Sequence, residues 1–247
     1  HLSIRRQRQM CIRDRKDSGS KLVIVDEERV KRVAPILEAS EAAAIAIRVA
    51  GELPSGIDRY EDVVELGAEM PEIAIDTDDD ATILYTSGTT GFPKGAVSTH
   101  RAVLSALVGF ACRAEVGKLT GSGGEVGAGQ SDPAVILCVP LFHVTGLVPV
   151  MMGTFVIGSR LVMMHRWDPE RALELIEREK ITTFVGVPTM SWELLESPDF
   201  ATRDTSSLSS VSGGGAPAPP ELVRRIEEGF ETAVSYTHLT LPTNREV

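Results

Sequence analysis

Ten consecutive residues, 86–95, combine glycines, hydroxyl groups and a lysine in the order Thr-Ser-Gly-Thr-Thr-Gly-Phe-Pro-Lys-Gly. The glycines leave main-chain N–H groups open to an anion, because no side chain obstructs a close approach. The hydroxyl groups of Ser87, Thr89 and Thr90 can donate further hydrogen bonds, and the ammonium group of Lys94 adds a positive charge. This chemistry suits phosphate groups, so the segment predicts a phosphate-binding loop. A polar glycine-rich turn with an exposed lysine is the structural alternative.

The spacing around Lys94 distinguishes this loop from the common nucleotide-binding motifs. Pro93 precedes the lysine and Gly95 follows it, so the Walker A order Gly-x-x-x-x-Gly-Lys-Ser/Thr is absent. The Gly-x-Gly-x-x-Gly order of the protein kinases is absent from this segment as well. A strand ending at Tyr85 and a helix beginning near Thr99 would position the loop.

Two later segments also contain residue types suited to a binding site. In residues 140–147, Pro-Leu-Phe-His-Val-Thr-Gly-Leu, His143 lies in an apolar stretch with no nearby carboxylate to form a catalytic triad. A histidine in such surroundings is more often a core residue than a base. In residues 212–217, Ser-Gly-Gly-Gly-Ala-Pro, glycines would let the backbone approach a flat ring closely. A plain loop after a buried strand is the alternative there.

The elements that must position these residues alternate along the chain. Apolar runs predict strands at residues 22–25, 43–49, 82–85, 134–139, 160–164, 182–187 and 208–211. Amphipathic segments predict helices at residues 30–37, 99–115, 168–179 and 219–230. Asp168 is a suitable cap for the third of these helices, because its carboxylate can accept a hydrogen bond from a free N–H group. The alternation predicts an α/β fold with layered, mostly parallel β-sheets flanked by helices.

Composition and charge limit the classes of partner. The chain of 247 residues has 35 acidic and 25 basic residues and a net charge of -10, which argues against nucleic acid. Its three cysteines are far apart and form no Cys-x-x-Cys pair, so we expect a cytoplasmic protein. Residues 134–159 carry no formal charge, but prolines and glycines interrupt them, so we expect a buried strand, turn and helix and no transmembrane segment.

The loop resembles the signature loop of the adenylate-forming (AMP-binding) enzymes, which include acyl-CoA synthetases, luciferases and the adenylation domains of peptide synthetases. Residues 85–95 carry the resemblance, and two further segments support it in the right order. Residues 140–147 resemble the next motif of the acyl-CoA synthetases, or fatty-acid–CoA ligases, and residues 212–217 resemble the segment that faces adenine. Together these segments place residues 20 to 233 within the resemblance.

The resemblance implies roles for individual residues. Lys94 and His143 would be the catalytic residues, with His143 bordering the pocket for the carboxylic acid. Gly146 and Thr189 would line the same pocket, although ordinary core packing is an even alternative for the segment around Thr189. The nucleotide would be bound by Thr86, Ser87, Gly88, Thr89, Thr90, Gly91, Pro93, Lys94, Gly95, Gly214, Gly215, Ala216 and Pro217. No metal-binding residues are predicted, because Asp76 to Asp80 are consecutive and cannot converge on an ion.

The resemblance also implies a reaction. A carboxylic acid, fatty or a related organic acid, would react with ATP to form an acyl-adenylate, with Mg²⁺ neutralising the phosphates, and coenzyme A would then take the acyl group. Two further possibilities share the loop: a luciferase-like enzyme or peptide-synthetase adenylation domain, and a non-catalytic nucleotide-binding module. The oligomeric state is not predicted.

The two ends of the chain differ from its middle. Residues 1–15 and 235–247 resemble translated adapter sequence, so we expect them to be non-native. Residues 16–234 would then be part of the N-terminal adenylation domain. The family's Tyr-Gly-x-Thr-Glu motif is replaced by Tyr-Thr-His-Leu-Thr from Tyr236 onwards. We therefore expect an internal fragment that lacks the C-terminal domain and is inactive alone.

Overall fold

A computed structural model describes residues 18–37, 42–86, 93–120, 133–230 and 233–236. The chain divides into two compact units, His1–Thr99 and His100–Val247. Each unit is described by itself.

The first unit contains a small parallel sheet covered by a helix. Its elements are β1 (Leu22–Asp26), α1 (Glu27–Leu37), β2 (Ala43–Ile47), β3 (Ile57–Arg59) and α2 (Tyr60–Val63). The strands pair in the order β1-β2-β3. Asp26 caps α1 by accepting a hydrogen bond of 3.1 Å from the N–H group of Arg29. Val25, Val30 and Ala46 are among the buried residues that join the sheet to α1.

A hairpin follows in the same unit. β4 (Asp80–Thr86) pairs with β5 (Lys94–Thr99), and the two strands are antiparallel. The strand β5 was not among the predicted strands, and it includes Lys94 and Gly95, the last two residues of the predicted loop. The helix does begin directly after β5.

The second unit is a five-stranded parallel sheet with helices on both faces. Its strands pair in the order β10-β9-β8-β6-β7. In chain order the elements are α3 (His100–Thr120), β6 (Ala134–Leu137), a π-helix (Gly146–Met152) that continues into α4 (Gly153–Val156), β7 (Arg160–Met163), α5 (Pro169–Glu179), β8 (Thr183–Gly186), α6 (Pro188–Glu196), β9 (Ser210–Gly213), α7 (Pro220–Phe230) and β10 (Ala233–Tyr236). The predicted α/β fold with mostly parallel sheets is confirmed.

The side chains of β6 alternate between two apolar layers. Ala134 and Ile136 are fully buried in the main core, which includes residues of α5, α6 and α7. Val135 and Leu137 point the other way and pack with Val150 of the π-helix. This alternation is expected for a strand with helices on both faces. The apolar run that begins at β6 is thus divided among a strand, a turn and two short helices. Within the parts of the chain that the structure describes, no helix has the length and apolarity needed to cross a membrane.

Helix α5 forms as its sequence predicts. The carboxylate of Asp168 accepts a hydrogen bond of 2.8 Å from the N–H group of Arg171, which caps the helix. Ala172, Leu173 and Ile176 are fully buried against the sheet. The cap and the apolar stripe both lie within or next to the helix in the sequence, which is why the sequence predicts the helix well, and packing against the sheet stabilises it.

Candidate functional site

The strand order creates a crevice at one edge of the five-stranded sheet. β7 follows β6 in the chain and pairs on one side of it, while β8 pairs on the other side. The segment after β6 therefore leads to the π-helix on one face, and the segment after β8 leads to α6 on the opposite face. Ligands of open α/β sheets bind at such a topological switch point, outside the carboxyl ends of the strands.

The hydrogen-bond ladders show that the sheet opens at this point. β6 pairs with β8 only at Val135↔Thr183 and Ile136↔Phe184. By contrast, the pairing of β8 with β9 continues to the last residue of both strands, Gly186↔Gly213. The ladder between β6 and β8 therefore ends one residue before the end of β6 and two residues before the end of β8.

Three of the segments predicted from the sequence lie at this edge. Residues 138–146 follow β6, residues 187–190 follow β8, and residues 214–217 follow β9. The fold thus brings His143, Gly146, Thr189 and the glycine-rich segment to one edge of a single sheet. None of these residues was predicted to be close to another from spacing alone.

His143 occupies a tight turn after β6. Its N–H group donates a hydrogen bond of 3.1 Å to the carbonyl oxygen of Pro140, and the N–H group of Leu147 donates one of 3.1 Å to the carbonyl oxygen of His143. Both the imidazole and the neighbouring Phe142 ring are exposed, with ring centroids 4.7 Å apart and a tilt of 55°. The backbone of the turn is fixed while the imidazole is open to a ligand, so the alternative of a buried core histidine is excluded.

Gly146 is buried where the π-helix meets this turn. A Cβ atom at this position would lie 2.6 Å from the carbonyl oxygen of Pro140 and 2.7 Å from that of Val139. Because both neighbours are backbone atoms, only glycine fits here without a shift of the turn. The predicted role in making room for an acyl chain stays a prediction, and close packing gives a separate reason for the glycine.

Thr189 lies in the first turn of α6 and is exposed. Pro188 starts the helix, and Val187 before it provides no side-chain cap. The preceding Gly186 is tightly enclosed, since a Cβ atom there would lie 2.7 Å from the Phe184 ring. Thr189 is therefore carried by a short helix that begins two residues after the end of β8.

The glycine-rich segment after β9 is joined to the end of β8. The N–H group of Gly214 donates a hydrogen bond of 3.2 Å to the carbonyl oxygen of Gly186. Gly215 has a φ of +80°, a conformation that favours glycine. A Cβ atom at Gly214 would meet nothing within 4 Å, and Ala216 and Pro217 are exposed. The backbone here is open enough for a flat ring, and its role in binding adenine stays a prediction.

The predicted phosphate loop belongs to the first unit, where it connects the two strands of the β4–β5 hairpin. Residues 87–92 lie outside the described residues, so the predicted roles of Ser87, Gly88, Thr89, Thr90 and Gly91 stay predictions. The flanking residues Thr86 and Lys94 pair in the ladder, and the Thr86 hydroxyl donates a hydrogen bond of 3.4 Å to the carbonyl oxygen of Lys94.

Lys94 and Gly95 begin the second strand of the hairpin. The Lys94 side chain is exposed, which keeps its charge open to an anion. A Cβ atom at Gly95 would lie 2.8 Å from Cγ2 of Ile83 and 3.2 Å from Cζ of Tyr85. Gly95 thus has a packing role beneath two side chains of β4 in addition to its predicted one, and Pro93 lies just before the strand.

Cys138 at the edge of the crevice was not predicted from the sequence. Its thiol donates a hydrogen bond of 3.5 Å to the carbonyl oxygen of Val185, just beyond the last paired residues of β6 and β8. Burial raises the pKa of the Cys138 thiol to about 12, so it stays protonated and is a poor nucleophile. Among the residues that the structure describes, no three His, Cys, Asp or Glu side chains are grouped so as to hold a metal ion.

Comparison with known proteins gives consistent matches. The sequence model of the family described as AMP-binding enzyme matches residues 12–238. A feruloyl-CoA synthase from Amycolatopsis sp is 31% identical over 222 residues, which cover 89% of this chain and 40% of that protein. The 4-coumarate–CoA ligase CCL1 of Humulus lupulus is 33% identical over 161 residues, which cover 65% of this chain and 28% of the ligase. The crystal structure of ATP-bound MatB from Rhodopseudomonas palustris superposes with a TM-score of 0.72 at 26% identity, over 93% of this chain and 42% of MatB. The chain thus spans less than half the length of each of these three relatives.

Proposed function

The chain belongs to the AMP-binding enzyme family, and on that basis we propose that it forms part of an ATP-dependent acid–thiol ligase. In this reaction a carboxylate oxygen attacks the α-phosphorus of ATP and pyrophosphate leaves. The thiol of coenzyme A then attacks the acyl carbonyl carbon and AMP leaves. The observation that carries the proposal is the arrival of residues 138–146, 187–190 and 214–217 at one switch-point edge, where α/β sheets bind nucleotides.

Each segment has a role in this proposal. His143 orients the carboxylic acid, with Gly146 and Thr189 beside it, and residues 214–217 receive the adenine ring. Lys94 and the loop before it hold the phosphates, where their positive charge and N–H groups stabilise the leaving pyrophosphate. Positioning the acid in line with the α-phosphorus supplies much of the rate, since no residue acts as a nucleophile.

Mg²⁺ is proposed as the counter-ion of the ATP phosphates. The described residues after β6, β7, β8 and β9 offer it little, because Asp168 is the carboxylate among them and already caps α5. The phosphate oxygens themselves would supply oxygen ligands, which Mg²⁺ prefers. No step of the reaction is assigned to the metal.

Two of the relatives are named for feruloyl and 4-coumarate groups. We therefore propose an organic acid of either the aromatic or the fatty kind as substrate. We also propose a cytoplasmic location, which rests on the cysteine pattern alone.

A binding experiment tests the joint site for nucleotide and acid without requiring turnover. Stable acyl-adenylate analogues, in which a sulfamoyl group replaces the phosphate, are titrated calorimetrically with ferulic, 4-coumaric or palmitic acyl groups. We expect at least one analogue to bind about 100-fold more tightly than AMP, as transition-state-like ligands do. The substitution His143→Ala should reduce this gain and leave AMP binding unchanged, and His100→Ala on α3 is the matched control.

Other results separate the alternatives. If no acyl group improves on AMP, the chain is a nucleotide-binding module and the ligase proposal is wrong. We further propose that the 247 residues alone do not complete adenylation. Robust ATP–pyrophosphate exchange with any of these acids would contradict that proposal and support the ligase reaction. Consumption of coenzyme A distinguishes a ligase from luciferase-like and peptide-synthetase activities.

A further inference from the structure

Helix α6 carries Thr189 at the carboxyl edge of the sheet, and little within the helix fixes its orientation. It has nine residues, and Val187 before it provides no side-chain cap. A helix this short is marginal on its own, so contacts with neighbouring elements must hold it. Its buried stripe consists of Pro188, Ser191 and Leu194, and the Ser191 hydroxyl has no hydrogen bond among the described residues. Because apolar burial is not directional, the stripe alone leaves the helix free to rotate about its axis.

The exposed face of α6 has a directional contact one turn away from Thr189. Thr189 and Glu193 are four residues apart, which places both on the same side of the helix, and both are exposed. The carboxylate of Glu193 accepts a hydrogen bond from the indole N–H group of Trp167. This hydrogen bond therefore fixes the side of the helix that carries Thr189.

Trp167 also contacts the strand that leads into the helix. Its ring centroid lies 6.0 Å from that of Phe184 on β8, and the two rings are tilted by 50°. The Phe184 ring in turn lies against Gly186, the last residue of β8, since a Cβ atom there would lie 2.7 Å from the ring. Trp167 thus contacts both β8 and α6, on either side of the residue that joins them.

The segment that carries Trp167 is itself held by hydrogen bonds on both sides. Before it, the N–H group of Met164 donates a hydrogen bond of 3.0 Å to the carbonyl oxygen of Leu137 on β6. After it, the carboxylate of Asp168 caps α5. Because these contacts attach the segment to β6 and α5, the indole of Trp167 is a fixed point against which α6 is oriented.

We propose that Trp167 is a positioning residue, whose indole N–H group orients Thr189 towards the carboxylic acid by holding Glu193 on the same face of α6. The proposal rests on the proposed function, in which Thr189 lies beside the acid. A hydrogen bond to a carboxylate is stronger and more directional than apolar contact. A small displacement of a residue at the substrate is costly, so losing this bond should weaken binding of the acid while the helix stays folded.

Substitutions of single groups separate this hydrogen bond from the packing of the ring. Trp167→Phe keeps an aromatic ring and removes the N–H group, Glu193→Ala removes the acceptor, and Glu193→Gln keeps an acceptor oxygen. Each variant is titrated calorimetrically with AMP and with the acyl-adenylate analogue that binds the unchanged chain most tightly. We expect Trp167→Phe and Glu193→Ala to reduce the gain of the analogue over AMP about ten-fold and to leave AMP binding unchanged. Glu193→Gln should keep most of the gain.

A double variant and a matched control make the result specific. Trp167→Phe combined with Glu193→Ala should lose no more than either change alone, because both remove the same bond. Additive losses would show that the two residues act separately and would overturn the proposal. Trp192→Phe is the control, since Trp192 also lies on α6 but its ring centroid is 5.0 Å from the guanidinium carbon of Arg225 on α7. An equal loss in this control would assign the effect to packing of the helix.

The remaining outcomes distinguish this proposal from the proposed function. If Trp167→Phe weakens AMP and the analogue equally, the indole has a general structural role and the positioning role is wrong. If the gain over AMP is the same in the unchanged chain and in Trp167→Phe, the positioning role is wrong and the proposed function stands. If no analogue binds the unchanged chain more tightly than AMP, the proposed function fails and the positioning role fails with it.

Discussion

Replacing Gly146 by alanine should distort the turn that carries His143. The added Cβ atom would lie 2.6 Å from the carbonyl oxygen of Pro140, whereas an ordinary carbon–oxygen contact is about 3.3 Å. The turn or the start of the π-helix must therefore move by about 0.7 Å. Two backbone carbonyl groups block the new atom, so a change of side-chain rotamer cannot relieve the contact.

The free energy of unfolding should fall by about 1–2 kcal/mol. Overpacking a buried site costs about 1–3 kcal/mol, and the lower flexibility of alanine in the unfolded chain returns about 0.5–1 kcal/mol. Gly109→Ala on α3 is the matched control, because a Cβ atom there meets nothing within 4 Å. This control should gain about 0.5–1 kcal/mol, since alanine favours a helix over glycine.

Urea unfolding followed by tryptophan fluorescence measures the change in stability of the second unit, which contains both Gly146 and Gly109. Both tryptophans of the chain, Trp167 and Trp192, lie in the second unit. A fall in the midpoint for Gly146→Ala with a small rise for Gly109→Ala is the expected pattern. An unchanged or higher midpoint for Gly146→Ala would refute the packing argument and leave the predicted role in making room for an acyl chain as the reason for the glycine.

Three further predictions concern buried and charged groups of the second unit. The Ser191 hydroxyl is buried with no hydrogen bond among the described residues, so Ser191→Ala should raise stability by about 1 kcal/mol in urea unfolding, and a loss would show that the hydroxyl is satisfied. A hydrogen bond from Lys180 holds the pKa of the Asp204 carboxyl well below its ordinary value near 3.8. The ionised Asp204 therefore stabilises the fold above that pH, and this stabilisation is lost as the pH falls below it. Asp204→Asn should therefore lower the urea midpoint more at about pH 7 than at about pH 3, and an equal effect at both would contradict this. Burial raises the pKa of Cys138 to about 12, so iodoacetamide should alkylate the exposed Cys112 of the folded chain and spare Cys138. Peptide mass mapping detects the alkylated residue, and early alkylation of Cys138 would show that its burial is incomplete.

Elements with local signals were the ones that the sequence predicted well. Helix α5 begins after its capping Asp168 and buries the predicted stripe, because both signals lie within its own residues. β5 was missed for the opposite reason. Its residues 94–99 become a strand by pairing with β4, and its Gly95, unfavourable in an isolated strand, fits beneath Ile83 and Tyr85.

Residue types and spacing identified the segments of the candidate site separately, and only the family resemblance implied that His143, Gly146 and Thr189 share one pocket. The residues around His143 and the glycines after β9 could be selected by type and order. Their meeting at one edge depends on the strand order, which places β6 between β7 and β8.

The ladder between β6 and β8 ends before the strands do, and this affects which residues after the strands can change in sequence. Beyond Ile136 and Phe184 no ladder joins the described residues of the two strands. The segment after β6 and the segment after β8 are therefore not held in register with each other. Residues 142–144 can then be exchanged for those of another member of the family while the hydrogen bonds of β8 and β9 are left intact. Under the proposed function, a change of acid substrate would therefore need different side chains in the segment after β6 and no change in the strands.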